Sequence, residues 1–202
     1  MSKTQPASVL ATPATLGAPY EGGYYAGQIT LNGRPHAVVC AGIAGEVKGP
    51  WHTTGKRTKG ADSYSDSMAN TQAMAKAGSA LAKQVLALEI DGTTGWCIPA
   101  RDVLELLYRA FKPTKETNYV FRSGDNPSSL PAGYPYTTKL PGITKVKPFA
   151  AKGTEAFADA WYWGSTQFSE NYAWYQIFSY GYQDFYHKSF EARCRAVRLI
   201  PL

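Results

Sequence analysis

The sequence predicts an α+β domain, and three observations carry that reading. An Asn32-Gly33 pair sits between two apolar runs near the start, two stretches with helical spacing occupy the middle, and four short strand-like runs follow residue 160. The order is strands, two helices, a long loop and strands again, which segregates helices from strands instead of alternating them.

Residues 1–19 are rich in Pro, Ala, Thr and Ser and have no period, so they read as an extended arm ahead of a domain over 20–202. From Tyr24 to Leu31, and again from His36 to Cys40, apolar and β-branched residues predict two strands. Asn32-Gly33 joins them as a tight hairpin, because both residues tolerate positive φ. A Gly-rich loop with Trp51 leads to a first helix, capped by Asp66 or Ser67, with Met74, Ala77, Leu81, Val85 and Leu88 on one face. The run 95–99 predicts a short buried strand. A second helix begins near Arg101 and turns Leu104, Leu107, Tyr108 and Phe111 inward, with Asp102 in its first turn where the helix dipole favours an anion. Residues 112–154 have no period and form a long loop region, a kind of segment that in a compact domain carries function or rests on a partner. The runs 161–163, 173–179, 183–188 and 193–200 predict strands, with Gly181 at the turn between the second and third.

The composition is unusual in one respect: 13% aromatic against only 18% charged. The net charge of +6 is concentrated in the loop, where Lys112, Lys115, Arg122, Lys139, Lys145, Lys147 and Lys152 face only Glu116 and Asp125. No helix-turn-helix, zinc-finger or RNA-binding signature accompanies that charge, so it reads as a solvated loop and no nucleic-acid partner is expected. Cys40, Cys97 and Cys194 are odd in number and widely spaced, indicating neither a disulfide framework nor a metal knuckle. No apolar run is long enough for a signal peptide or a membrane span, so the expectation is synthesis in a cytosol without membrane insertion.

Catalytic motifs are missing: there is no H-E-x-x-H, P-loop, G-x-S-x-G or G-x-G-x-x-G pattern, and His36, His52 and His187 are scattered. The expectation is a non-enzyme without a cofactor or metal.

Two blocks carry a resemblance. Gly95-Trp96-Cys97-Ile98-Pro99-Ala100-Arg101-Asp102, followed by Leu104 to Tyr108, resembles a G-W-x-(I/L)-P-x-R-(D/E)-E-L-x-x-L block. Tyr162-Trp163-Gly164-Ser165-Thr166-Gln167, then Ala173-Trp174, Phe178, Gly181, Lys188 and Arg193-Cys194-Arg195-Ala196-Val197-Arg198, resembles a Y-W-S-S-T-x … A-W … F … G … K … R-x-R-x-V-R ending. Both belong to a phage and bacterial family of C-type-lectin-like domains found at tail-fibre tips, and Gly164 stands where that family more often has Ser. Over residues 20–202 the resemblance implies a C-type-lectin-like fold with two helices, short antiparallel strands and long loops. It further implies a non-catalytic tail-tip protein that binds a host-surface receptor, protein or polysaccharide, and sits in the virion tail as a homo-trimer. The N-terminal arm would join it to other tail proteins. The calcium-binding Glu-Pro-Asn and Trp-Asn-Asp elements of sugar-binding lectins are missing from the sequence.

Residues 161–190 hold thirteen of the 27 aromatics and only Glu170, Asp184 and Lys188 as charges. Alternate strand residues face opposite ways. With Trp174 and Phe178 assigned to the core by the resemblance, the exposed set is Tyr175, Ile177, Ser179, Tyr180, Tyr182, Asp184, Phe185, Tyr186, His187, Ser189 and Phe190, with Tyr172 beside them. Rigid aromatic area interleaved with small polar groups is the chemistry of a paratope. The same density also suits a subunit interface in a structural virion protein, of the tail or decorating a capsid. Each of these residues, and Asn171, can be encoded by a codon ending in C that differs from AAC only at the two adenines. Diversity-generating retroelements rewrite such codons, and their variable proteins resemble this chain in fold.

Overall fold

The Asn32-Gly33 turn forms as expected in the computed structural model, which describes residues 12–53 and 55–202. Both residues have positive φ, 50° and 73°, and they connect β2 (Gly23–Leu31) to β3 (Arg34–Cys40). The hairpin is the centre of a first sheet. β1 (Pro19–Tyr20) pairs with β2, β10 (Val197–Pro201) pairs with β3, and the two-residue β5 (Ser129–Leu130) also pairs with β2. The end of the expected arm therefore belongs to this sheet, since Gly17 N donates to Tyr25 O and Pro19 lies opposite Tyr24. Residues 1–11 lie outside the described residues.

A second sheet has the order β4 (Glu46–Pro50), β9 (Glu191–Arg195), β6 (Trp161–Gln167), β7 (Tyr172–Ile177), β8 (Gln183–His187), which leaves β8 as an edge strand. The strand expected over 193–200 is split between the two sheets at Ala196, whose amide donates to Gly45 O while its carbonyl accepts from Ala41 N. The run at 95–99 is buried but contributes only a bridge between Cys97 and Val197.

Three helices form where two were expected. The first predicted helix is broken into α1 (Ser67–Ala77) and α2 (Ala80–Leu86). Gly78 takes φ +109° and closes α1, and Ser79 Oγ then accepts from Ala82 N to start α2. The break leaves Ala77 exposed, while Met74, Leu81 and Val85 stay buried. Asp66 caps α1 through Ala69 N. α3 (Arg101–Phe111) begins as expected and buries Leu104, Leu107, Tyr108 and Phe111.

Two cores result. One lies between the first sheet and α3 and includes a run of aromatic stacks, with Phe111 3.9 Å from Phe149 and Phe157 4.1 Å from Phe178. The other lies between the second sheet and α1 and α2, around Trp51, Trp96 and Trp163. Burying each such ring is worth about 1.5–3 kcal/mol. Two of the three arginines of the C-terminal motif are structural: Arg193 and the fully buried Arg195 both bind Glu46, which also accepts from Tyr162 OH at 2.8 Å.

Apart from β5 and a 3-10 turn at Lys147–Phe149, the long loop has no regular structure, and buried polar groups tie it to α3. Glu105 accepts from Arg109 Nε at 3.0 Å, Tyr136 OH at 2.7 Å and Asn126 Nδ2 at 2.6 Å. Asn118 accepts from Tyr108 OH and Lys112 Nζ and donates to the carbonyls of Thr137 and Pro141. Buried carboxylate and amide groups must be satisfied, and here their partners come from the loop itself.

Candidate functional site

The aromatic segment occupies the free end of the second sheet, and the strand register sorts it onto two faces. Tyr172, Trp174 and Gln176 lie opposite His187, Phe185 and Gln183. On the other face Ala173 and Tyr175 lie opposite Tyr186 and Asp184, and the neighbouring β6 adds Trp161 and Trp163.

The expected assignment of faces is corrected at four positions. Tyr175, Ile177 and Ser179 are not exposed: they retain only 4%, 6% and 3% of their accessible surface. Tyr175 stacks on Trp161 with centroids 4.3 Å apart and planes 6° from parallel, and burial pushes its phenol well above the usual range. Conversely Trp174, assigned to the core, is only half-buried, whereas Phe178 is fully buried as expected. The physical reason is that this sheet packs on both sides, so neither face of β7 is wholly open. Of the expected set, Tyr186, His187, Ser189 and Phe190 are exposed, and Tyr172, Tyr180, Tyr182, Asp184 and Phe185 are half-buried.

On the Trp174 face, Phe168 from the β6–β7 turn stacks on Phe185 at 3.7 Å, and both meet Trp174 edge-on at 5.8 Å. Tyr172 lies 4.4 Å from the ring of His187. The guanidinium of Arg101 sits between Tyr64 and Trp174, 4.9 and 5.0 Å from their centroids. On the other face Trp161, Tyr186 and Phe190 cluster with centroids 5.1–5.2 Å apart. Tyr180 and Tyr182 stack at the turn, and Tyr119 of the long loop packs edge-on against Tyr182 at 4.5 Å. Tyr64, Tyr119, Phe121 and Phe168 were not anticipated. Only the apolar island Tyr119-Val120-Phe121 in an otherwise polar, basic loop signals them in the sequence.

β8 is an edge strand with a built-in guard. Asp184 accepts from the amide of Phe185 at 2.9 Å and from Tyr182 OH, and it raises the Tyr182 phenol to about 12, the hydrogen bond being the largest cause and burial the next. Satisfying an edge amide internally discourages strand addition.

Lys188, next to the aromatic end, is buried. Its ammonium donates to Gln167 Oε1 at 3.0 Å and lies 4.6 Å from the Trp51 ring centroid. Burial lowers its pKa to about 8, with the charge of Arg57 adding to the effect and Asp62 and Glu170 opposing it. Gln167 also binds both backbone groups of Thr58, so the Lys188–Gln167 pair fastens the 51–63 loop to the sheet.

Burial raises the thiol of Cys40 to about 12 and those of Cys97 and Cys194 well above the usual range, so at neutral pH all three are protonated and inaccessible. Among the described residues no three His, Cys, Asp or Glu side chains gather as metal ligands, and no helix is long and apolar enough to cross a membrane. The arrangement consists of aromatic rings, an edge strand and a few polar groups. No family model, curated protein or solved structure matches the chain.

Proposed function

We propose that the chain is a non-catalytic recognition module that binds a surface molecule of a host cell through the β7–β8 end of its second sheet. The C-type-lectin-like fold, a place at a phage tail tip, a trimeric state and diversification of the C-terminal region by a retroelement belong to the same reading. The observation that carries it is the aromatic belt around β7–β8: Tyr172 and Phe185 gather with Phe168 and Trp174 on one face, and Tyr186 and Phe190 with Trp161 on the other. Aromatic contact residues on a rigid sheet offer large area at little ordering cost.

The structural-subunit reading is favoured by a different observation, the exposed Leu130 and Tyr134 that border a cleft of about 210 Å³ beside Leu16. That cleft lies where the N-terminal arm enters the domain and suits attachment to a larger assembly.

The experiment is adsorption of the fluorescently labelled chain to a panel of bacterial cells, with Phe185→Ala and Tyr186→Ala compared with Leu130→Ser. Host recognition predicts loss of adsorption in the first two at unchanged melting temperature. Adsorption to no cell in the panel, together with self-assembly abolished by Leu130→Ser, supports the structural subunit instead.

A further inference from the structure

Between the long loop and the β7–β8 face lies a cleft of about 200 Å³, with Tyr119, Phe121 and Arg122 on one side and Trp174, Gln183 and Phe185 on the other. Its walls are aromatic, but its floor is polar and incomplete. Trp174 Nε1 and Gln183 Oε1 are both buried and, among the described residues, neither has a hydrogen-bond partner. Gln183 keeps only 8% of its surface, and its amide nitrogen is already committed to Arg101 O at 3.1 Å, which leaves the oxygen as a lone acceptor. Trp174 lies opposite Phe185 and Gln183 opposite Gln176, so the two residues are diagonal neighbours on one face. A buried donor and a buried acceptor left without partners are expensive unless something satisfies them.

We propose that this cleft seats one sugar residue of a glycan, with an acidic group directed at Arg122. The proposal rests on the recognition reading above and names its ligand class. One hydroxyl accepts from the Trp174 indole N–H and donates to Gln183 Oε1, discharging both groups at once. The pyranose ring fits the volume, and its C–H faces lie against Tyr119 and Phe185. Arg122 supplies the anion partner: its guanidinium lies 4.9 Å from the Phe121 centroid and forms no ion pair among the described residues. Asp184, on the opposite rim, repels an anion, so the acid has one orientation. Phe121 is 63% exposed, so the wall above the floor is free to move as the sugar enters. A phenol from a protein partner would satisfy the floor but leave Arg122 unused.

The test uses the full chain labelled with ¹⁵N, titrated with glucuronic acid, with galactose and with N-acetyltyrosine amide. Glucuronic acid is expected to move the indole N–H resonance of Trp174, identified by its disappearance in Trp174→Phe. The surface variant Arg122→Ala is expected to weaken glucuronic acid about tenfold, the order of one charge-assisted hydrogen bond, and to leave galactose unchanged. No movement with either sugar overturns the proposal. Movement with the tyrosine amide alone also overturns it and marks the cleft as a seat for a protein side chain. Cell adsorption that survives Trp174→Phe and Gln183→Leu but is lost in Phe185→Ala and Tyr186→Ala sinks the sugar cleft and leaves the recognition surface standing.

Discussion

The ammonium of Lys188 lies 4.6 Å from the centroid of the Trp51 ring and, among the described residues, has no carboxylate within ion-pair distance. A buried lysine held by one amide oxygen and one indole face destabilises the folded state when charged. Its pKa is lowered from 10.5 to about 8, so the unfolded chain binds more protons between those values. The penalty is complete below about pH 8 and is relieved as pH rises toward 10.5. Lys188→Met keeps the stem against Trp51 and removes the charge. Denaturant unfolding at pH 6 should therefore show a gain of about 1–3 kcal/mol that shrinks toward pH 10.

The buried thiols act in the opposite sense. Cys40, Cys97 and Cys194 are all raised above the usual 9.0, so the unfolded state loses protons first. Their stabilisation is complete below about pH 9 and is lost as pH rises above it, at about 1.4 kcal/mol per thiol per pH unit. Three thiols outweigh one lysine, and the melting temperature should fall steeply above pH 9. A variant with all three replaced by Ala should lose that steepness.

Glu105 decides whether the long loop is ordered. Glu105→Gln leaves Arg109 facing a neutral amide and removes one acceptor from Tyr136 and Asn126, a change worth about 3–5 kcal/mol for a broken buried pair. Hydrogen exchange and limited proteolysis should localise the loosening to residues 118–136, and uniform exchange across the domain would count against this role.

Asp184 is the guard of the open edge. In Asp184→Ala the Phe185 amide becomes available to another strand, and light scattering should show more high-mass species than the parent chain gives. In Asp184→Asn the Tyr182 phenol should titrate closer to 10 than its present value of about 12, by ultraviolet absorbance.

Gly181 is required by space as well as by conformation. Its φ is +78°, and a Cβ there would lie 2.4 Å from Tyr108 Cε1. Gly181→Ala should destabilise the domain by about 1–3 kcal/mol or more, and a neutral result in thermal melting would show that the Tyr108 ring can move aside.

The hairpin at Asn32-Gly33, the register of α3 and the positions of the late strands were legible because each depends on local spacing and turn chemistry. The split at Gly78 was legible in principle, since Gly followed by Ser is a stop and a start, but the uninterrupted apolar spacing across it reads as one helix. Within the aromatic segment, the exposure of Tyr175, Ile177, Ser179 and Trp174 was misassigned. Alternation says that Trp174 and Tyr175 point oppositely; which one meets Trp161 depends on how β6 pairs with β7, and no local pattern contains that. The contributions of Tyr64, Tyr119 and Phe168 come from three separate loops and depend on the closed fold.

The pairing of β10 with β3, and of β9 with β4, bears on how the protein is made. β3 and β4 each receive one strand partner from residues 191–201, so neither sheet is complete until those residues have left the ribosome. During synthesis β3 presents an unpaired Val38-Val39-Cys40 edge for as long as translation of the intervening segment lasts. Contacts this distant in sequence slow folding. Loss of as few as the last six residues would make that transient exposure permanent.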